Sequence, residues 1–394
     1  MKRFVYADNA ATTPVLPEVL EAMMPCFGES FGNPSSLHAK GREAKAMLDD
    51  ARSRIAGALG CDASEIYFTS CGTEADNWAI RGAATRMRDK KGKNHIITSK
   101  IEHPAVLRTC EALEREGFSV TYVGVDTDGV VSLDEIREAI NDKTALVAIM
   151  FANNEVGTVE PIEEITAIAH AAGALMFTDA VQAFGSIDFN LATLPVDMLS
   201  ISGHKIGAPK GIGALFIRRG VVINNLIDGG GQEKRKRGGT ENLPYIVGLA
   251  RAAEIARERL PELTRVAKMR DRLIDELTKI PYSKLNGHRT KRLPGTVNIG
   301  FEFIEGESLL LWLDIAGICA STGSACSSAS LEPSHVLLAM GVPHEKAHGS
   351  LRISISKDTT DEDIDYIIET VPRVVEKLRN MSPLWEDVVK STAK

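Results

Sequence analysis

A lysine directly after an apolar strand, inside a glycine-rich turn, offers the most chemistry in this chain. It is Lys205, in Ser202-Gly203-His204-Lys205, with Gly207, Pro209 and Gly211 just beyond. Most loop lysines are solvated, but a desolvated one loses its proton and can form a Schiff base with a carbonyl cofactor. Asp179 follows another apolar run one strand earlier. It could be an ordinary helix cap, but a buried carboxylate there is also what a pyridinium nitrogen needs if pyridoxal phosphate is to act as an electron sink.

Other candidates share one placement. Glu65–Thr69 runs into Gly72-Thr73-Glu74, His95–Thr98 into Glu102-His103-Pro104, and Ala145–Ala152 into Asn153-Asn154-Glu155. Ala174–Thr178 runs into Asp179 and Gln182, and Met198–Ser202 into Gly203-His204-Lys205. One polar strand ending is usually a loop; five in turn suggest a site, because open α/β sheets bind ligands at the carboxyl ends of their strands. Ser70–Glu74 reads as a tight turn entering a helix, suited to a phosphate or to plain capping by Thr73. His103 is a structural histidine or a proton shuttle. Arg352, in an alternating strand, is a clamp for a carboxylate or half of a surface ion pair. The run Ser321–Ser330 has no large side chain and carries one thiol, Cys326, which suits a mobile loop. Cys319 suits a small buried cysteine better.

The elements that must position these residues follow from the same pattern. With Ser119–Val125 and Ala214–Arg218 the strand candidates number seven, and helical stretches lie between several of them. Ser132 and Glu135 read as a capping box, and Pro161 suits the first turn of the next helix. Alternation of this kind implies an α/β fold with a mainly parallel sheet covered on both faces. Past about residue 260 a charge-rich amphipathic helix (262–280) opens a smaller α+β unit. The flexible places are expected at Gly229-Gly230-Gly231 with Lys234–Arg237, and at the Ser/Ala run.

Composition narrows the class. The 394 residues carry a net charge of −7 and are 44% hydrophobic, an ordinary globular balance with no basic excess for nucleic acid. No apolar run approaches the roughly 20 residues of a membrane span. Asp8, Asn9 and Thr12 occupy the place of a signal peptide's apolar core. Six scattered cysteines with no metal-ligand spacing fit a reducing cytoplasm. GxGxxG, GxxxxGK[ST] and GxSxG patterns are lacking, which weakens dinucleotide, P-loop and serine-nucleophile readings.

The chain resembles the cysteine desulfurases of the NifS/IscS type, fold-type I pyridoxal-phosphate enzymes of the class V aminotransferase family. The likeness runs from Tyr6–Pro14 and Phe31–His38 through Thr73–Asn77, Glu102–Pro104, Asn153–Gly157 and Ser202–Lys205. It ends with Arg237–Asn242 and Gly323-Ser324-Ala325-Cys326.

The resemblance implies a large cofactor-binding domain over residues 15–260. A small domain would comprise residues 1–14 and 261–394 and carry the cysteine loop at about 321–333. It implies that Lys205 is the Schiff-base lysine and Cys326 the persulfide-bearing nucleophile. His103 would stack on the cofactor ring and move protons, Asp179 would hold the ring nitrogen, and Gln182 and Asn154 would lie at the phenolic oxygen. Gly72, Thr73, Ser202, Gly203 and His204 would hold the phosphate, with Thr240 reaching in from the second subunit of a homodimer. Arg352, beside Asn154, would bind the carboxylate of L-cysteine. Cys326 is also the candidate for transient ligation of an iron–sulfur cluster through its persulfide.

The implied activity is conversion of L-cysteine to L-alanine, with sulfur passed to an iron–sulfur scaffold protein. The basic run Lys234–Arg237 and the short stretch after Ser382-Pro383-Leu384-Trp385 depart from the IscS branch and bear on the acceptor. A selenocysteine lyase, an aminotransferase and a non-catalytic scaffold subunit are the competing readings.

Overall fold

The computed structural model describes residues 3–323, 333–383 and 385–386. A short strand, β1 (Val5–Tyr6), opens the chain, followed by helices α1 (Pro17–Met23) and α2 (Ala39–Leu59). Strands and helices then alternate: β2 (Ile66–Thr69), α3 (Gly72–Lys91), β3 (His95–Ser99), α4 (Pro104–Arg115), β4 (Ser119–Val123) and α5 (Leu133–Ala139). Next come β5 (Thr144–Ala148), α6 (Ile162–Ala171), β6 (Leu175–Asp179), β7 (Met198–Ser202), β8 (Gly213–Ile217), α7 (Gln232–Arg235) and α8 (Leu243–Glu258). The remainder is α9 (Leu263–Leu277), β9 (Ser283–Leu285), β10 (Thr296–Phe301), α10 (Gly306–Ala316), β11 (Ile318–Cys319), α11 (His335–Ala339), α12 (His344–Ala347), β12 (Ser350–Ser354) and α13 (Asp361–Arg379).

The main sheet has the order β2-β8-β7-β6-β5-β3-β4. Only β8 opposes its neighbours, so β2, β3, β5, β6 and β7 all send their carboxyl ends to one edge. Both faces are apolar, as a sheet covered by helices on each side requires. Phe177, Met198 and Leu215 pack with Trp78 and Val106 of α3 and α4, whereas their neighbours Met176, Leu199 and Phe216 pack with Ile55 and Leu249 of α2 and α8. The period of two sorts successive residues into opposite cores. A separate core joins Val5 and Ala7 to Leu273 of α9, Ile299 of β10 and Ile367 of α13. There β10 lies between β12 and β9, antiparallel to both, and β1 pairs with β11.

Several local expectations change. The β5 ladder ends at Ala148 rather than Ala152, although the Ile149 and Phe151 amides still donate to Phe177 and Asp179 carbonyls. Ser132 caps α5, but the Glu135 carboxylate accepts from the Gly124 N–H at 2.6 Å instead of closing a capping box. Pro161 is the residue before α6, not part of its first turn. The segment expected to be flexible, 229–237, is tied down. Buried Glu233 pairs with Arg52 at 2.6 Å and accepts from the Phe68 N–H, and this anchoring holds Glu233, Lys234 and Arg235 at positive φ.

Candidate active site

Lys205 ends a single turn of 3-10 helix that follows β7. The turn is tight: a Cβ on Gly203 would lie 2.8 Å from the Ile212 side chain. The N-terminal segment packs on it, with Thr13 bonding the His204 carbonyl through both its N–H and its hydroxyl. The Lys205 amine donates to the carbonyls of Ala10 at 2.5 Å and Ala11 at 2.8 Å. Gln182 donates to the same Ala10 oxygen at 3.0 Å, and the Ser354 hydroxyl accepts from the Ala10 N–H.

Asp179 closes β6 and accepts from the Val181 N–H at 2.8 Å. Burial pushes its carboxyl above the usual range, opposed by His103, the Val181 N–H and Lys205. His103 is the N-cap of α4, its Nδ1 accepting from the Ala105 N–H at 3.1 Å, so the neutral ring carries its proton on Nε2. Burial holds that imidazole below its ordinary value despite the pull of Asp179, and Lys205 and His335 push the same way.

Across the same edge, α3 starts at Gly72 with Cys71, not Thr73, as its cap; the Cys71 sulfur accepts from the Glu74 N–H at 3.4 Å. Thr73 therefore sits in the first turn with its hydroxyl unspent on capping. A Cβ at Gly72 would fall 2.9 Å from Val181 and 3.4 Å from Ser202, so the helix N-terminus opens directly onto the end of β7. His204 bonds Thr12 at 3.2 Å and is pushed down to about 4, first by burial and then by Lys205 and Lys210. Gly72 and Thr73 form the N-terminus of α3 and Ser202 lies against it, where backbone N–H groups and the helix dipole favour an anion; Gly203 and His204 continue the chain from Ser202. Thr240 is exposed, and among the described residues no hydrogen bond joins it to that cluster. Arg237, three residues before it, pairs with Glu74 at 2.9 Å.

The facing wall comes from β12. Its alternation is chemical only, since all five residues are buried: Leu351 and Ile353 enter the smaller core, and Arg352 turns to the N-terminal segment. Arg352 is 1% exposed, with Nη2 on Asp8 at 3.0 Å and Nη1 on the Asn154 carbonyl at 3.0 Å; its Nε has no partner among the described residues. The ion pair exists, but it is buried rather than on the surface. Nη1 also reaches the Gly323 carbonyl at 3.4 Å. Cys326 lies outside the described residues. Cys319, expected to be buried, is half-buried in β11.

Sequence reasoning gave no role to Asp8, Glu155 or Asp76. Glu155, 4% exposed, takes the Ser334 hydroxyl and abuts Gly323. Asp76 takes the Ser200 hydroxyl at 2.6 Å under the sheet edge. Their only signal was a charged residue at a position whose neighbours are buried. Among the described residues no His, Cys, Asp and Glu group could hold a metal ion, and no helix is long and apolar enough to cross a membrane.

Residues 5–367 match the family model for aminotransferase class-V. The chain belongs to that family. It is an enzyme, and pyridoxal phosphate is its cofactor. A relative from Methanosarcina thermophila named cysteine desulfurase IscS is 58% identical over 381 residues, covering 96% of this chain and 94% of the relative. A solved NifS-like protein superposes with a TM-score of 0.90 at 42% identity, over 95% of this chain and all of that one. A structure of SspA in complex with cysteine has a TM-score of 0.79 at 38% identity, over 90% of this chain and all of that one.

Proposed function

We infer that this member of the class-V aminotransferase family is a cysteine desulfurase. It converts L-cysteine to L-alanine and carries the released sulfur as a persulfide on Cys326. The observation that carries the reading is Lys205 at the sheet edge where β2, β3, β5, β6 and β7 end, bonded to the same N-terminal segment whose Asp8 pairs with Arg352, in a chain 58% identical over 96% of its length to a relative of that name.

The residues fit the cofactor. The N-terminus of α3, with Ser202 and neutral His204, suits a phosphate, and buried Asp179 suits a protonated ring nitrogen, whose charge would offset the cost of keeping the carboxylate ionised. Gln182 and Asn154 suit the phenolic oxygen. When bound, pyridoxal phosphate supplies a carbonyl for the amine and an electron sink for the Cα carbanion. Lys205, released from the Ala10 and Ala11 carbonyls, takes the Cα proton and returns it. His103, neutral by burial, presents an Nε2–H for proton movement. Arg352 offers its Nε, which has no partner among the described residues, to the substrate carboxylate, and Asp8 keeps the guanidinium oriented. The Cys326 thiolate attacks the substrate sulfur: an S–S bond forms, the substrate C–S bond breaks with its electron pair left on the carbon skeleton, and a proton taken up at Cβ together with the Cα proton returned by Lys205 completes alanine.

The same reading makes the enzyme a homodimer, with Thr240 completing the partner's phosphate site. Exposed Leu20, Met24, Phe27, Phe31 and Leu37, clustered in sequence, support a covered apolar face. An iron–sulfur scaffold protein is the sulfur acceptor and the cytoplasm the compartment; the free thiols Cys26, Cys61, Cys71, Cys110 and Cys319 suit a reducing environment. Transient cluster ligation by Cys326 belongs to this transfer.

The deciding experiment measures alanine per subunit from L-cysteine with a thiol reductant, for the wild type beside Cys326→Ala. Multiple turnovers in the first and none in the second are expected. Equal alanine from both would make the protein a lyase acting directly on the substrate, and none from either would remove the desulfurase reading.

A further inference from the structure

Asp76 is a buried carboxyl that the reaction above does not use. It lies in the second turn of α3 and is 2% exposed. The Ser200 hydroxyl donates to its Oδ1 at 2.6 Å. Ser200 is the register partner of Asp179 on the neighbouring parallel strand, so the two side chains project from the same face of the sheet. Phe177 and Met198, two residues earlier on each strand, fix that face as the one α3 covers, because both pack in the α3 core. Asp76, Ser200 and Asp179 therefore meet between α3 and the ends of β6 and β7.

We propose that Asp76 is a positioning residue kept as a neutral carboxylic acid behind Asp179, so that one negative charge, not two, faces the cofactor ring. This rests on the reading of Asp179 as the partner of the ring nitrogen. Two carboxyls in one desolvated pocket do not both ionise readily, and the proton goes to the member with less cationic support. Asp179 has His103 and Lys205 beside it. The ionisable groups facing Asp76 are Asp179, Glu102 and the Cys71 thiol, which all oppose its charge, and Ser200 supplies a single neutral hydrogen bond. Burial acts in the same direction on Asp76.

The test is infrared difference spectroscopy of the holoenzyme at neutral pH, wild type minus Asp76→Asn. The expected difference is the C=O stretch of one carboxylic acid; a carboxylate pair of bands in its place would overturn the proposal. Should Asp76→Asn not fold, Ser200→Ala is read in the same way. A neutral Asp76 keeps its acid band, displaced by loss of the hydrogen bond, whereas a displaced carboxylate band would refute it. The ¹⁵N shift of labelled cofactor in Asp76→Asn should stay that of a protonated ring, with kcat/KM within about threefold of wild type. Asp179→Asn tests the underlying reading separately: an unchanged ¹⁵N shift there removes Asp179 as the ring partner, while the Asp76 infrared band stands or falls independently.

Discussion

On the sheet-edge wall of the site, each polar residue follows its own strand by a few positions. Asp179 ends β6, Ser202 ends β7, and Lys205 lies one turn beyond. The facing wall is assembled otherwise. Arg352 sits in mid-strand, held by Asp8 from 344 residues away and by the Asn154 and Gly323 carbonyls. The first wall is fixed by two apolar cores that lie behind it, so its polar groups carry chemistry without carrying the fold. In the second, the residue that meets the substrate is also the one that ties the smaller core to the N-terminal segment.

This contrast predicts different costs for the two walls. Lys205→Ala has the largest effect on activity, a loss of at least about 10²–10⁴-fold expected for removing a general base alone. Its stability should fall by about 2 kcal/mol, the worth of two typical hydrogen bonds, those to the Ala10 and Ala11 carbonyls. Alanine formation and a denaturant midpoint on the same sample measure both. Arg352→Met should lower kcat/KM for L-cysteine by roughly 10–100-fold through lost hydrogen bonds to a charged group. It should also cost about 3 kcal/mol of stability, because Asp8 keeps its charge without the guanidinium. If Arg352→Met proved as stable as Lys205→Ala, the two walls would not differ in the way argued.

The sheet-edge wall was legible because local sequence carries it: an apolar run marks each strand, and the polar residue follows at once. All seven strands of the main sheet lie where those runs place them, to within a few residues at their ends. The facing wall was not, since nothing near Arg352 in sequence encodes Asp8 as its partner, and alternation in β12 looks the same whether the polar face meets water or another segment. The anchored 229–237 stretch failed for a related reason. Three glycines and a run of four basic residues read as a loose loop, while the residue that fixes it, Glu233, pairs with Arg52 on α2 far away in sequence. Of the two readings of Thr73, only capping failed, because a cysteine is a rare cap and Thr73 has the better capping side chain.

An effect on stability rather than on activity, visible in pH dependence, probes the floor beneath both walls. Glu102 accepts from the Ser99 hydroxyl and the Met150 N–H through one oxygen, while the other is buried without a partner among the described residues, and burial pushes its carboxyl up to about 8 from 4.5. A raised folded-state value means the folded state holds the proton that the unfolded state releases. Its contribution is therefore fully present below pH 4.5 and is lost as pH rises through about 8, with a slope near 1.4 kcal/mol per pH unit between them. Glu102→Gln keeps an acceptor oxygen and cannot titrate. Denaturant midpoints across this window should fall less steeply with pH in the variant; parallel curves would mean Glu102 is already ionised in the folded protein.

The smallest effect on activity belongs to thiols that the fold has silenced. Cys110 is completely buried on α4, and burial, then Glu102, pushes its thiol up to about 12; Cys61, partly buried, is pushed to a similar value. A thiol held protonated is a poor nucleophile, so neither can stand in for Cys326 in accepting sulfur. Cys110→Ala should leave alanine formation unchanged and cost about 1 kcal/mol through loss of one packed sulfur, whereas Cys326→Ala should do the reverse. Should Cys110→Ala instead reduce turnover at unchanged stability, sulfur would pass through the α4 side of the sheet, and the division of labour between the two walls would have to be redrawn.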